Sequence, residues 1–294
     1  MGFYKKIFTS ILILGAVYLV FAVLFYDTLH DYDRLNLSAQ GLVESLTTLL
    51  ALPMGFVLLN YVYNNHRKNI FAAIVVIATL FFAVFRARRG LIFMSLTALL
   101  CVGMIYILST KQKMLIIFMG VFVLGTGGLF IASIKNPPAI FNFLLDRADT
   151  DTRTGVEVYM YADMSPTDWV IGKGINGKYY CPLVDNVNDA EGAGERDNIE
   201  TGYLQIILKG GIISLGLLLF MFFPAVYKGL FKSKNVLSKA AALWVFLWIV
   251  YLYPSGGMVF NMNYILVWVS VGICYSDKLR NLSDETIKAY LKNS

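Results

Sequence analysis

Long uncharged stretches alternate with short clusters of Lys, Arg, Asp and Asn along this chain, and that rhythm predicts helices rather than strands. A helix needs about 20 apolar residues to cross a hydrocarbon layer of ~30 Å. Stretches of roughly that length occupy residues 7–26, 43–63, 70–85, 90–109, 114–133, 201–226, 240–253 and 259–276. The pattern predicts an all-α polytopic membrane protein of about eight transmembrane helices. Residues 1–133 hold the first five spans and 134–200 form one large extracytoplasmic loop containing short helices. Residues 201–276 hold the last three spans, and 277–294 form a polar cytoplasmic tail. The first stretch follows Lys5 and Lys6 as a signal peptide would, but it is too long and no small-x-small cleavage pattern follows, so it is expected to remain as an anchor.

Within 134–200 the apolar runs cease and Asp, Asn, Gly and Pro accumulate. Asn136-Pro137-Pro138 breaks the fifth span. Asp149-Thr150-Asp151-Thr152 supplies N-cap chemistry for a short helix from about Arg153 to Met164, with Val156, Met160 and Ala162 expected against the membrane surface. Asp185 to Asn198 reads as a mobile connection.

Composition agrees with the pattern. Of 294 residues 57% are hydrophobic and 15% charged, against about 25% charged in an ordinary soluble domain. The net charge of +6 does not indicate nucleic acid, because the basic residues are scattered between apolar runs rather than gathered on one polar face. They read as topology signals. Lys5, Lys6, Arg67, Lys68, Lys111 and Lys113 fall on the same side by alternation, which places both termini in the cytoplasm. The two histidines, His30 and His66, fall on opposite sides and no CxxC pair occurs, so neither a metal site nor a cofactor is expected.

One short outer connection opposes the charge rule: Arg86-Ala87-Arg88-Arg89-Gly90 joins the third and fourth spans. The third uncharged stretch supplies only roughly 24 Å of helix at ~1.5 Å per residue, which pulls Arg86 toward the membrane. Arginines there either snorkel to lipid headgroups or pair bidentately with a diphosphate, whose oxygens match the planar guanidinium fork. In the loop, Arg147 and Arg153 are separated by Asp149 and Asp151, and Arg153 opens the predicted helix. Glu200 is expected to begin the sixth span, sharing a helix face with Tyr203. It either lies at the positive helix end or accepts a proton from a substrate hydroxyl. Lys209-Gly210-Gly211 interrupts that span, and Lys209 is a candidate for phosphate or for pairing with Glu195 or Asp197. Tyr203, Tyr179 and Tyr180 either anchor at the membrane interface or offer stacking surfaces for sugar rings. Gly172-Lys173-Gly174-Ile175-Asn176-Gly177 spells GxGxxG, but no strand precedes it and no helix follows, so it reads as a glycine-rich turn rather than a dinucleotide site.

Three of these segments, in this order, resemble the O-antigen ligase and polymerase family of bacterial envelope enzymes. Arg88-Arg89-Gly90 is similar to the family's Ser-Arg-Gly, with Arg89 at the arginine. Arg153, its helix and Gly172-Lys173-Gly174 resemble the arginine-helix-GxG segment of the periplasmic loop. Glu200-Thr201-Gly202-Tyr203-Leu204, followed by Gly210-Gly211, resembles the His-Asn-x-x-Leu helix start, with Glu200 where many members carry histidine. The resemblance implies a metal-independent transferase of the bacterial inner membrane, active on its periplasmic side in cell-surface polysaccharide biosynthesis. Its partners would be an undecaprenyl diphosphate-linked glycan, an acceptor glycan or lipid, and membrane lipids. Arg89 and Arg153 would neutralise the departing diphosphate and Glu200 would deprotonate the acceptor, with Arg86, Arg88, Arg147, Tyr203 and Lys209 binding substrate. The alternative expectation is a lipid-linked oligosaccharide transporter or an inactive assembly subunit using the same cations as a grip.

Overall fold

The computed structural model describes residues 2–26, 45–85, 89–109, 153–182, 194–254 and 260–293. The predicted span 114–133, the break at Asn136, the cap at 149–152 and most of the 185–198 connection lie outside the described residues, as do Arg86, Arg88 and Arg147.

The described residues are mostly helical, and several helices are apolar and long enough to span a membrane. These are α1 (Gly2–Leu24), α3 (His66–Phe85), α4 (Arg89–Ser109) and α7 (Gly202–Phe231). Shorter apolar helices occupy Ser45–Leu59, whose final segment is α2 (Met54–Leu59), α8 (Val236–Tyr251) and α9 (Met262–Tyr275). Helix α3 begins at His66, four residues before the uncharged stretch, because Arg67 and Lys68 are good helix formers that extend its first turn. It is therefore longer than the apolar run alone implied. The outward sides of α1, α4 and α7 carry exposed Val20, Leu100 and Phe220, the surface that a lipid solvent accepts. Inside, Trp244 meets Phe56 edge-on at 5.6 Å, and Phe222 meets Trp248 and Trp268 at 5.3 and 5.6 Å. Such rings bury large areas in preferred edge geometries. Two polar ties cross this core: Tyr251 donates to Met94 O at 2.6 Å, and Asn263 donates to Thr48 O at 2.9 Å.

The tail is no detached appendage. Short α10 (Asp277–Arg280) and amphipathic α11 (Asp284–Asn293) fold back, burying Ile287 completely. Asp284 accepts from both the Tyr63 hydroxyl and Val236 N, capping the start of α8.

A break in α7 positions everything at the opposite end. Gly211 adopts φ 69° and ψ −179°, a region open essentially to glycine alone. A straight helix of 30 residues rises about 45 Å and the 16 residues of α8 about 24 Å. The two helices are adjacent and joined by a short turn, yet Gly202 N donates to Leu252 O at 2.7 Å. Only a bend reconciles these lengths. The segment before the break turns across the end of the bundle.

The loop segment packs on that crossing piece. Helix α5 (Thr154–Asp163), helix α6 (Pro166–Ile171) and the antiparallel pair β1 (Tyr179–Tyr180) and β2 (Glu195–Arg196) surround a second small core. Met160, Met164, Tyr179, Cys181 and Ile199 there meet Leu204, Ile207 and Leu208 of α7. Met160 thus faces inward rather than toward the membrane surface, correcting that part of the sequence expectation, while Ala162 is exposed.

Candidate functional site

The predicted short helix is present, but Arg153 stands just ahead of its first turn as the N-cap, without a side-chain capping bond. Its guanidinium reaches sideways instead. Nη1 donates to Tyr253 O and Nη2 to Pro254 O, each at 3.1 Å. These carbonyls follow the C-terminus of α8, where the last peptide oxygens lack helical partners and the helix dipole favours a cation. The third side of the same guanidinium faces Glu200, with Nε 3.6 Å from Oε2.

Glu200 does not begin the helix as expected. The N-cap is Thr201, in extended conformation, so Glu200 precedes the helix and its side chain remains 58% exposed. The shared face with Tyr203 is therefore not formed by helical spacing. The N-cap hydroxyl of Thr201 makes no cap bond and donates instead to Glu157 Oε1. Glu157 lies one turn beyond Arg153 on α5, and its other oxygen accepts from Tyr161 at 3.4 Å. Burial first, and then the Glu157 charge, push the Tyr161 phenol above its ordinary value.

Arg153 and Glu157 together therefore grip the two consecutive residues Glu200 and Thr201. Tyr203 lies within electrostatic reach of Glu157, Tyr253 and Arg153. Arg89 opens α4 at the same end of the bundle, for a Cβ placed on Gly90 would lie 3.4 Å from Pro254 O, the carbonyl that Arg153 holds. Segments far apart in sequence thus converge on Leu252, Tyr253 and Pro254.

Lys209 is not directed at this cluster. Its ammonium donates to Gly177 O at 2.8 Å, a contact that neither sequence alternative anticipates. The purpose of that contact follows from the break in α7. Leu208 O and Lys209 O accept from Lys173 N at 2.8 Å and Gly174 N at 3.1 Å. The glycine-rich turn caps the broken helix, with Gly172 and Gly174 at φ 75° and 84°. A Cβ on Gly172 would lie 2.5 Å from Gly210 N, so the close approach itself requires glycine. A helix precedes this turn and a two-residue strand follows, the reverse of a dinucleotide motif. Lys173 also pairs with Asp163. Glu195 is paired with Lys178 at 3.5 Å.

The sequence reading missed Glu157, Thr201, Tyr253 and Pro254. The spacing of Glu157 from Arg153, four residues on one helix, is a local signal that would have identified it. Among the described residues no group of three His, Cys, Asp or Glu side chains gathers as metal ligands would.

Comparison of the chain with protein-family models, with curated proteins and with solved structures returned no match.

Proposed function

We propose that this chain is an integral membrane transferase that moves a glycan from undecaprenyl diphosphate to a sugar or lipid acceptor, as a polymerase or ligase of cell-surface polysaccharide. The observation that carries the reading is the convergence of Arg89-Gly90, Arg153 and Glu200-Thr201-Gly202 on Leu252–Pro254. Those are the three segments whose order resembles the O-antigen ligase and polymerase family. Chance motifs scattered over the chain have no reason to meet at one end of a bundle.

The arrangement suits such chemistry. Helix α8 is about 24 Å long, short of a hydrocarbon layer of ~30 Å. In this reading the chain after it, with the carbonyls of Tyr253 and Pro254, covers the remaining distance toward the interface where a lipid-carried diphosphate sits. In the proposed reaction the anomeric C–O bond to the diphosphate breaks, its electron pair leaves with the phosphate oxygen, and an acceptor hydroxyl oxygen forms the new glycosidic bond. Arg153, held in place by two carbonyls, presents fixed positive charge to the departing diphosphate, and Arg89 adds to it. Glu200 takes the acceptor's proton. Tyr203 and Tyr253 present ring faces for sugar.

In this reading eight spans cross the bacterial inner membrane, both termini are cytoplasmic, and residues 134–200 lie on the periplasmic side. The same reading assigns substrate binding to Arg86, Arg88 and Arg147, which lie outside the described residues. A second reading, a carrier or silent assembly subunit that grips the lipid without chemistry, is favoured by one observation: Arg153 is engaged by backbone oxygens and by Glu200.

The test is glycan joining by purified protein supplied with an undecaprenyl diphosphate-linked oligosaccharide and acceptors. Wild type should extend or transfer the glycan, and Glu200→Gln should not. Equal product from both would overturn the catalytic assignment, and no product from wild type with intact lipid binding would favour the carrier.

A further inference from the structure

Helix α6 and the glycine-rich turn carry large apolar side chains outward: Val170 is 46%, Ile171 59% and Ile175 87% exposed. A single exposed apolar side chain needs no explanation, but three within six residues form a patch. The position of these residues names its partner. A Cβ on Gly211 would lie 2.0 Å from Val170 O and 2.4 Å from Ile171 N, so the end of α6 rests directly on the break in α7. Immediately beyond that break the long apolar part of α7 begins, with Ile212, Ile213 and Leu217 exposed at 57%, 49% and 64%. The apolar surface therefore continues from the spanning helix onto the loop segment without an intervening charged residue on α7.

We propose that α6 and the turn at 172–177 dip into the outer leaflet, where Val170, Ile171 and Ile175 contact phospholipid acyl chains. Three backbone N–H groups of the turn find partners inside the protein, which suits a shallow position. Lys173 N and Gly174 N are satisfied by Leu208 O and Lys209 O, and Gly177 N by Gly174 O at 2.9 Å. Irregular backbone enters a membrane only when its polar groups find protein partners. Next to Val170 in sequence, Trp169 packs on the second small core and meets Tyr161 with ring centroids 5.8 Å apart, and Lys173 within the turn pairs with Asp163. Aromatic and basic side chains at the edge of an apolar patch are the usual border between hydrocarbon and headgroups. The proposed occupant is bilayer lipid, because the patch extends a surface that lipid already covers if α7 crosses the membrane.

The test needs no glycan and is independent of the transferase reading. Ile175→Cys and, separately, Glu195→Cys are spin-labelled in the full chain reconstituted into phosphatidylglycerol and phosphatidylethanolamine vesicles, with wild type as the labelling blank. Collision with oxygen, which concentrates in lipid, is compared with collision with a water-soluble nickel chelate. The label at 175 should favour oxygen several-fold more than the label at 195, and Ile171→Cys should behave as 175 does. Equal access of the nickel chelate to 175, 171 and 195 would overturn the proposal.

Discussion

Glu157 accepts a hydrogen bond from the buried hydroxyl of Thr201, and this bond completes the clamp that Arg153 begins at Glu200. Arg153 at the N-cap of α5 and Glu157 one turn into it thereby hold two adjacent residues at the entrance of α7. The loop and the bundle are joined through the very side chains proposed to act on substrate.

Thr201→Val should destabilise the clamp by about 1–3 kcal/mol, the cost of leaving a charged acceptor short of its donor. Thermal unfolding in detergent measures this. In a double-mutant cycle with Glu157→Gln the two losses should fall short of additive. Simple additivity would show that the two side chains act separately.

The break in α7 predicts a contrast between two glycines of one helix. Gly211→Ala places a Cβ in a glycine-only backbone region and 2.0 Å from Val170 O. It should cost at least ~1–3 kcal/mol from the backbone alone, and hydrogen exchange should rise in α6 and the 172–177 turn. Gly216→Ala meets nothing within 4 Å in regular helix and should not destabilise, with a gain of up to about 1 kcal/mol from helix propensity. Similar losses at both positions would contradict the bend.

Burial pushes the Tyr179 phenol in the loop core up to about 12. An unfolded tyrosine ionises near ~10, so the folded state favours the neutral form. The stabilisation is complete below the unfolded value and is lost as pH rises through the folded one. Between these limits wild type should lose stability that Tyr179→Phe retains. Phenolate absorbance alongside thermal unfolding reads both, and parallel curves for the two proteins would contradict the assignment.

The apolar helices were legible because a run without charges admits few other structures in a chain this hydrophobic. The interruption at Gly210-Gly211 was visible too, although its meaning was not: nothing local says that a helix longer than the membrane turns over the bundle. Residue type and order single out Arg153 and Glu200 in the sequence, and the structure sets them 3.6 Å apart. Their receptor was hidden, because Tyr253 lies 100 residues from Arg153 and offers backbone carbonyls, which no side-chain pattern encodes. The inward direction of Met160 is hidden for a related reason. On a short helix one apolar stripe fits a membrane surface or a small core equally well, and only packing on Leu204 and Leu208 decides.

The most direct test of the account is the affinity of the purified full chain for undecaprenyl diphosphate, measured in detergent for wild type, Arg153→Ala, Arg153→Lys and Glu200→Gln, with thermal unfolding confirming that each remains folded. Arg153→Ala should weaken binding at least tenfold, about 1.4 kcal/mol, Arg153→Lys should recover part of it, and Glu200→Gln should bind at least as well as wild type. Unchanged affinity in a folded Arg153→Ala protein would contradict the claim that this cluster receives the lipid diphosphate.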